Sequence, residues 1–152
     1  MAEYATAREF LSAVWKQNME VKRCMWDVNL LRNRCERITA CLESGRGGGG
    51  DPHRDQSLAA LADKRTELLE LEQELEQQER LAEDFLARIV DERKRVILKL
   101  RYVEHLKWTE ICSKLEEMRI YYSERQIYNL HRQAVQEAEQ LFLNSRELSL
   151  GA

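Results

Sequence analysis

Apolar residues recur along the first part of the chain in alternating steps of four and three. Phe10, Val14, Val21, Cys24, Val28, Leu31, Cys35, Ile38 and Leu42 make up the series, with Gln17 its one polar break. That spacing brings each apolar side chain back to one seam of a helix and predicts a single long helix within residues 1–43. Thr6 followed by Glu9 supplies its start signal, because a hydroxyl and a carboxylate so spaced satisfy amides that a first turn leaves open. Trp15, Met19, Met25 and Trp26 flank the seam and predict a buried face wide enough for a bundle. A second series, Leu61, Leu68, Leu75, Ala82 and Ile89, with Leu71 and Phe85 between, predicts another long helix over residues 57–90, opened by Asp55 or Ser57. Residues 44–56 hold five of the six glycines and the one proline, Pro52, a composition that stops helix and lets the chain reverse. An antiparallel, coiled-coil-like hairpin buries both stripes. A homodimer through the same N-terminal helices is the competing solution.

From residue 91 the pattern shortens. Residues 91–103 read as one helix, and Trp108, Ile111, Cys112 and Leu115 fall on one face of a compact second. A third opens at Ser123 and runs to Phe142. There Ser123 and Gln126 have capping-box spacing, so each side chain satisfies the other residue's amide. Within this last helix Ile127, Leu130, Ala134, Ala138 and Leu141 share an apolar sector, whereas Arg125, Asn129, Arg132, Gln133 and Gln136 project opposite. Residues 143–152 read as a flexible tail. With proline and glycine nearly confined to one segment, the fold class is all-α: a hairpin followed by a C-terminal domain over residues 91–142. That domain has its own apolar set, Val96, Leu100, Trp108, Ile111, Leu115, Ile127, Leu130 and Ala134, so it is expected to fold by itself, with a small core.

Helix, turn, compact helix, turn and capped polar-faced helix is the order of a helix-turn-helix unit, whose last helix enters the major groove. Arg, Asn and Gln pair bidentately with guanine or adenine edges there. Arg125, Gln126, Asn129, Arg132 and Gln133 are therefore the candidate base readers. The segments Arg95-Val96-Ile97-Leu98-Lys99-Leu100-Arg101-Tyr102, Trp108-Thr109-Glu110-Ile111, Tyr122-Ser123-Glu124-Arg125 and Leu130-His131-Arg132-Gln133-Ala134 together resemble region four of bacterial sigma factors. More closely they resemble small phage-encoded transcription regulators that carry a sigma-region-four-like module at their C-terminus. The resemblance covers about a third of the chain. It implies a phage or prophage regulator acting in the cytoplasm of a bacterial host, contacting double-stranded DNA and, as a second implied partner, host RNA polymerase. One departure is plain: residues 116–122 separate Leu115 from Ser123, so either the connection is longer than in that family or the middle helix extends.

Charge changes the picture in detail. Residues 57–86 hold nine acids against three bases, so this arm should avoid DNA, whereas residues 87–152 hold twelve bases against ten acids. Lys99, Arg101, Lys107, Thr109 and Ser123 are the candidate phosphate contacts. A formal net charge of −3 is unlike that of a strong standalone DNA binder, so useful occupancy needs pairing or tethering. Two other assignments fit the same pattern. One is a small-terminase-like DNA-packaging protein forming a ring; the other is a helical adaptor that contacts RNA polymerase without reading DNA.

The remaining chemistry is sparse. Cys24, Cys35, Cys41 and Cys112 form no C-x-x-C pair and each sits on an apolar stripe, as buried free thiols do. His53, His105 and His131 have no partner at metal-ligand spacing, and His131, bordering an apolar sector, suits packing or a phosphate contact. The run Gly47 to Gly50 lacks the Lys-Ser/Thr of a phosphate loop. No enzyme, cofactor or metal is expected. No apolar run reaches the roughly 18 residues of a membrane span, and the N-terminus lacks the basic head and apolar core of a signal peptide.

Overall fold

The structure, a computed structural model, describes residues 4–43 and 52–150. It is all-α: α1 (Ala7–Glu43), α2 (Pro52–Leu86), α3 (Glu92–Leu98) continued by a π-helical turn (Lys99–Val103), α4 (Trp108–Glu117) and α5 (Glu124–Leu150), with no strand among the described residues. Most of the glycine-rich segment expected to form the turn, residues 44–51, lies outside the described residues. Pro52 heads α2, where its missing amide hydrogen costs no helical bond, so this helix begins before Asp55. It ends at Leu86 rather than near residue 90. Arg88 and Ile89 donate to the Phe85 and Leu86 carbonyls in tighter turns. Asp91 then opens α3 by accepting from the Arg93 and Lys94 amides. The tail expected at residues 143–152 is corrected: α5 continues to Leu150, because no glycine or proline interrupts it and Phe142 is buried. Ser145 also accepts from Arg88 at 3.1 Å.

The chain forms two compact units, Met1–Lys16 with Glu76–Ala152, and Gln17–Leu75. The division does not fall at residue 91. In the first unit the core joins Phe10, Leu11 and Val14 of α1, Ala82, Phe85 and Leu86 of α2, Ile97 and Leu98 of α3, Ile111 and Leu115 of α4, and Ile127, Ala134, Val135, Ala138 and Phe142 of α5. Phe85 stands edge-on to Phe10 and to Phe142, with centroids 6.1 and 6.0 Å away, a geometry that aligns ring edge with ring face. The start of α1 is held from far along the sequence. Both Glu139 oxygens accept from the Ala7 and Arg8 amides, at 3.1 and 2.8 Å, placing a carboxylate at the positive end of a helix. Locally, Thr6 caps Glu9 as its spacing implied, while the Glu9 carboxylate reaches the Ala5 amide.

In the second unit the seam of α1 meets α2 with numbers falling on one helix as they rise on the other. Gln17 donates to the Leu71 carbonyl and to Glu74, Cys24 lies 3.7 Å from the Lys64 carbonyl, and Val28 and Cys35 cluster with Leu61. These segments therefore run antiparallel, and the polar break at Gln17 is satisfied across the seam. The wider buried face does not form. Met19, Met25 and Trp26 are exposed by 47, 43 and 66%, because one neighbouring helix covers only the seam. Cys24 and Cys35 are buried free thiols, Cys112 is half-buried, and Cys41 is exposed rather than buried.

Candidate nucleic-acid interface

Within the first unit, α3 packs on α5 and α4 touches both α5 and the π-helical turn. Lys94 of α3 pairs with Glu137 of α5 at 2.9 Å. The end of α4 explains the longer connection. The helix extends to Glu117 and closes with the Ile120 amide donating to the Leu115 carbonyl and the Arg119 amide to that of Glu116. That bond pair is the Schellman motif, whose left-handed position is here taken by Arg119 at φ 62°. Tyr122 is pinned to α3 by Arg93, which donates to its hydroxyl at 2.8 Å and lies over its ring. Ser123 then starts α5 with a reciprocal cap: Gln126 Oε1 accepts from the Ser123 amide at 2.8 Å, and Ser123 Oγ accepts from the Gln126 amide at 3.2 Å.

Downstream of this cap the two faces of α5 separate as the periodicity implied. Ile127, Ala134 and Ala138 are buried, Leu130 and Leu141 are half-buried, and Arg125, Asn129, Arg132, Gln133 and Gln136 are exposed. Gln126 is exposed too, but its side-chain oxygen holds the cap. Among the other candidates, Lys107 and Thr109 are exposed at the start of α4, Lys107 standing at its N-cap with extended backbone. Lys99 pairs with Glu83 at 3.0 Å, and the Ser123 hydroxyl holds the cap.

Arg101 sits differently from the phosphate contact expected of it. Its guanidinium carbon lies 4.3 Å from the Trp15 ring centroid and 4.6 Å from that of Trp108, and Nη1 donates to the Leu106 carbonyl at 3.0 Å. A cation between two indoles gains from both ring faces and loses its freedom to follow a phosphate. Beside it, His131 Nε2 is 3.0 Å from the Tyr102 hydroxyl, and the imidazole meets Trp108 edge-on with centroids 4.9 Å apart. Burial, with the charges of Arg101 and Arg8, pushes the His131 pKa down to about 4. His131 is therefore a neutral packing residue at pH 7. Burial also raises the Tyr102 phenol above its ordinary value. Tyr128, edge-on to Trp108, donates to Glu124 at 2.8 Å.

Two residues of this region were not singled out by the sequence reading. His105, at φ 57°, bonds Glu79 of α2 through Nε2 at 2.8 Å and lies beside Trp15. No periodicity signals such a pairing. Arg119 was detectable, since Leu115 and Ile120 are the apolar pair that accompanies a Schellman end. Among the described residues no group of His, Cys, Asp and Glu could hold a metal, and no helix is long and apolar enough to cross a membrane. Compared with known proteins, the chain matches no family model, no curated protein and no solved structure.

Proposed function

We propose that this chain is a sequence-specific, non-enzymatic DNA-binding transcription regulator in which α4 and α5 act as a helix-turn-helix and α5 enters the major groove. The observation that carries the reading is the reciprocally capped start of α5 followed by exposed Arg125, Asn129, Arg132 and Gln133 over a buried opposite face. A fixed first turn presents such side chains to base edges at little entropic cost. In this reading Arg125, Asn129, Arg132 and Gln133 read bases, while Gln126 and Ser123 hold the helix start. Lys107 and Thr109 contact phosphate, Lys99 contributes after leaving Glu83, and Arg101 instead braces the domain between its two indoles.

The resemblance to sigma region four supports a phage or prophage setting in the bacterial cytoplasm, with host RNA polymerase as a second partner. Pairing of two copies through the N-terminal helices compensates for the low net charge by raising effective concentration. Selection of bound duplexes from a random-sequence pool tests the reading, and an enriched motif is the expected result. Asn129→Ala and Arg125→Ala should then each cost about 1–3 kcal/mol on that motif while random duplex binding falls less. No enrichment, or equal loss on motif and random duplex, refutes base reading by α5.

A further inference from the structure

The cations of the first unit divide by what holds them. Arg80, Lys94, Lys99 and Lys114 pair with Glu76, Glu137, Glu83 and Glu117, while Arg93, Arg95 and Arg101 are engaged by Tyr122, the Ile89 carbonyl and two indoles. Among the described residues Arg8, Lys16, Lys107, Arg119, Arg125 and Arg132 have neither an ion pair nor a side-chain hydrogen bond, and all six are exposed. Lys107, Arg125 and Arg132 belong to the interface proposed above. Arg8 comes from the other end of the chain, and its place on α5 is well defined. At about 100° per residue Glu139 falls within about 20° of Arg132, on one stripe of the helix. The Glu139 carboxylate holds the Ala7 and Arg8 amides at 3.1 and 2.8 Å, so α1 begins against the stripe that carries Arg132. Further along α5, Arg146 donates to the Ala5 carbonyl at 3.5 Å, so the chain enters from the far end of α5 and heads back toward Arg132. Burial, then Arg101 and then Arg8 push the His131 pKa down, which brings the Arg8 charge to the ring beside Arg132. Trp15, on the same stripe of α1 as Arg8, lies against Arg101, and Arg101 lies against Trp108, the first residue of α4. Trp108 in turn meets Tyr128 and His131 of α5. The starts of α4 and α1 therefore abut the same side of α5, with Lys107 at the first and Arg8 at the second.

We infer that Arg8 contacts a DNA phosphate on the side of α5 where Lys107 also lies, so that the start of α1 is part of the nucleic-acid interface. The inference rests on the proposed entry of α5 into the major groove and extends that interface to a helix outside the helix-turn-helix. Three features suit Arg8 to the contact. Its backbone is fixed by the Glu139 carboxylate, so only side-chain freedom is lost when the guanidinium engages. An unpaired guanidinium presents parallel donors to phosphate oxygens and has no acid to leave first, unlike Lys99. The one acid at this junction, Glu139, spends its charge on the positive end of α1, which reduces its repulsion of a nearby phosphate.

Duplex binding by the full chain across a range of salt concentrations is the test, with a random-sequence duplex and any motif enriched by selection as the two probes. Arg8→Ala should lower the slope of log K against log salt by roughly 0.9 on both, and Arg8→Lys should retain it. Both variants should melt as the wild type does, because the side chain is exposed and the amide bond to Glu139 is kept. Combining Arg8→Ala with Lys107→Ala should lower the slope by about 1.8, as two separate phosphate contacts would. Arg80→Ala, which removes a cation already paired with Glu76, should leave it unchanged. A slope unaffected by Arg8→Ala, or lowered equally by Arg80→Ala, overturns the inference. A wild type that enriches a motif with a slope indifferent to Arg8 refutes this contact and leaves the proposed function standing. One that binds duplex through Arg8 but enriches no motif does the converse, and a wild type that binds no duplex refutes both.

Discussion

Lowering the pH from 7 to 5 should destabilise the first unit through His131. The ring is held neutral, with a folded pKa of about 4 against 6.5 in the unfolded chain. A base with a depressed folded pKa binds its proton more tightly when unfolded. Its contribution is therefore present in full above pH about 6.5 and is lost as pH falls through the window down to about 4. For one group with these two values, linkage gives a loss of about 2 kcal/mol between pH 7 and pH 5. The imidazole is only partly buried, so solvent screening reduces the expectation to about 1 kcal/mol. Urea denaturation at closely spaced pH values measures it, and His131→Gln isolates the group, because the difference between variant and wild type removes every pH dependence that the two proteins share. The wild type should lose about 1 kcal/mol more than the variant over that interval. Identical pH dependence in the two proteins, or an imidazole carbon resonance for His131 that titrates near 6.5, refutes the argument.

Lys107→Ala should lower the slope of log K against log salt by roughly 0.9 on any duplex, as loss of one phosphate contact does; an unchanged slope moves the docking face away from the start of α4. Arg119→Gly should stabilise the fold by about 1 kcal/mol in thermal melts, since glycine takes φ 62° without the crowding of a Cβ, and a lower melting temperature would mean that the arginine side chain supports the turn. Val28→Asp puts an unpaired carboxylate into the cluster with Cys35 and Leu61 and should cost several kcal/mol, melting the second unit; hydrogen exchange that stayed protected in both helices would contradict the seam. A fragment starting at residue 76 should bind a hydrophobic dye and melt without cooperativity, because it lacks Phe10, Leu11 and Val14. Cooperative melting of that fragment would make the α1 contribution dispensable.

How much could be read from the sequence depended on whether the determining contact was local. The seam of α1 was legible because a helix repeats its own geometry, and Val14, Val21, Cys24 and Val28 are buried where the four-three spacing put them. The capping box at Ser123 was legible for the same reason: donor and acceptor lie three residues apart. Exposure on the far side of a helix is a different kind of fact. Nothing in the run from Trp15 to Trp26 says how many neighbouring helices will cover it, so its apolar character suggested a broad buried face although only one helix lies alongside. Trp15 differs from Trp26 only because Arg101 and His105 reach it.

The same limit hid the composition of the first unit. An apolar set within residues 91–142 looked sufficient for a small domain, and each of its members is at least half-buried. Yet that set cannot reveal what covers Phe85, Ile97 or Phe142. The covering comes partly from the opening turns of α1, whose first amides are satisfied by Glu139 across most of the sequence. On a surface helix Glu139 reads as one more solvated acid. In the fold it ties the start of α1 to α5, the helix proposed to read DNA, so loss of this carboxylate should loosen that attachment while leaving the capping box at Ser123 intact.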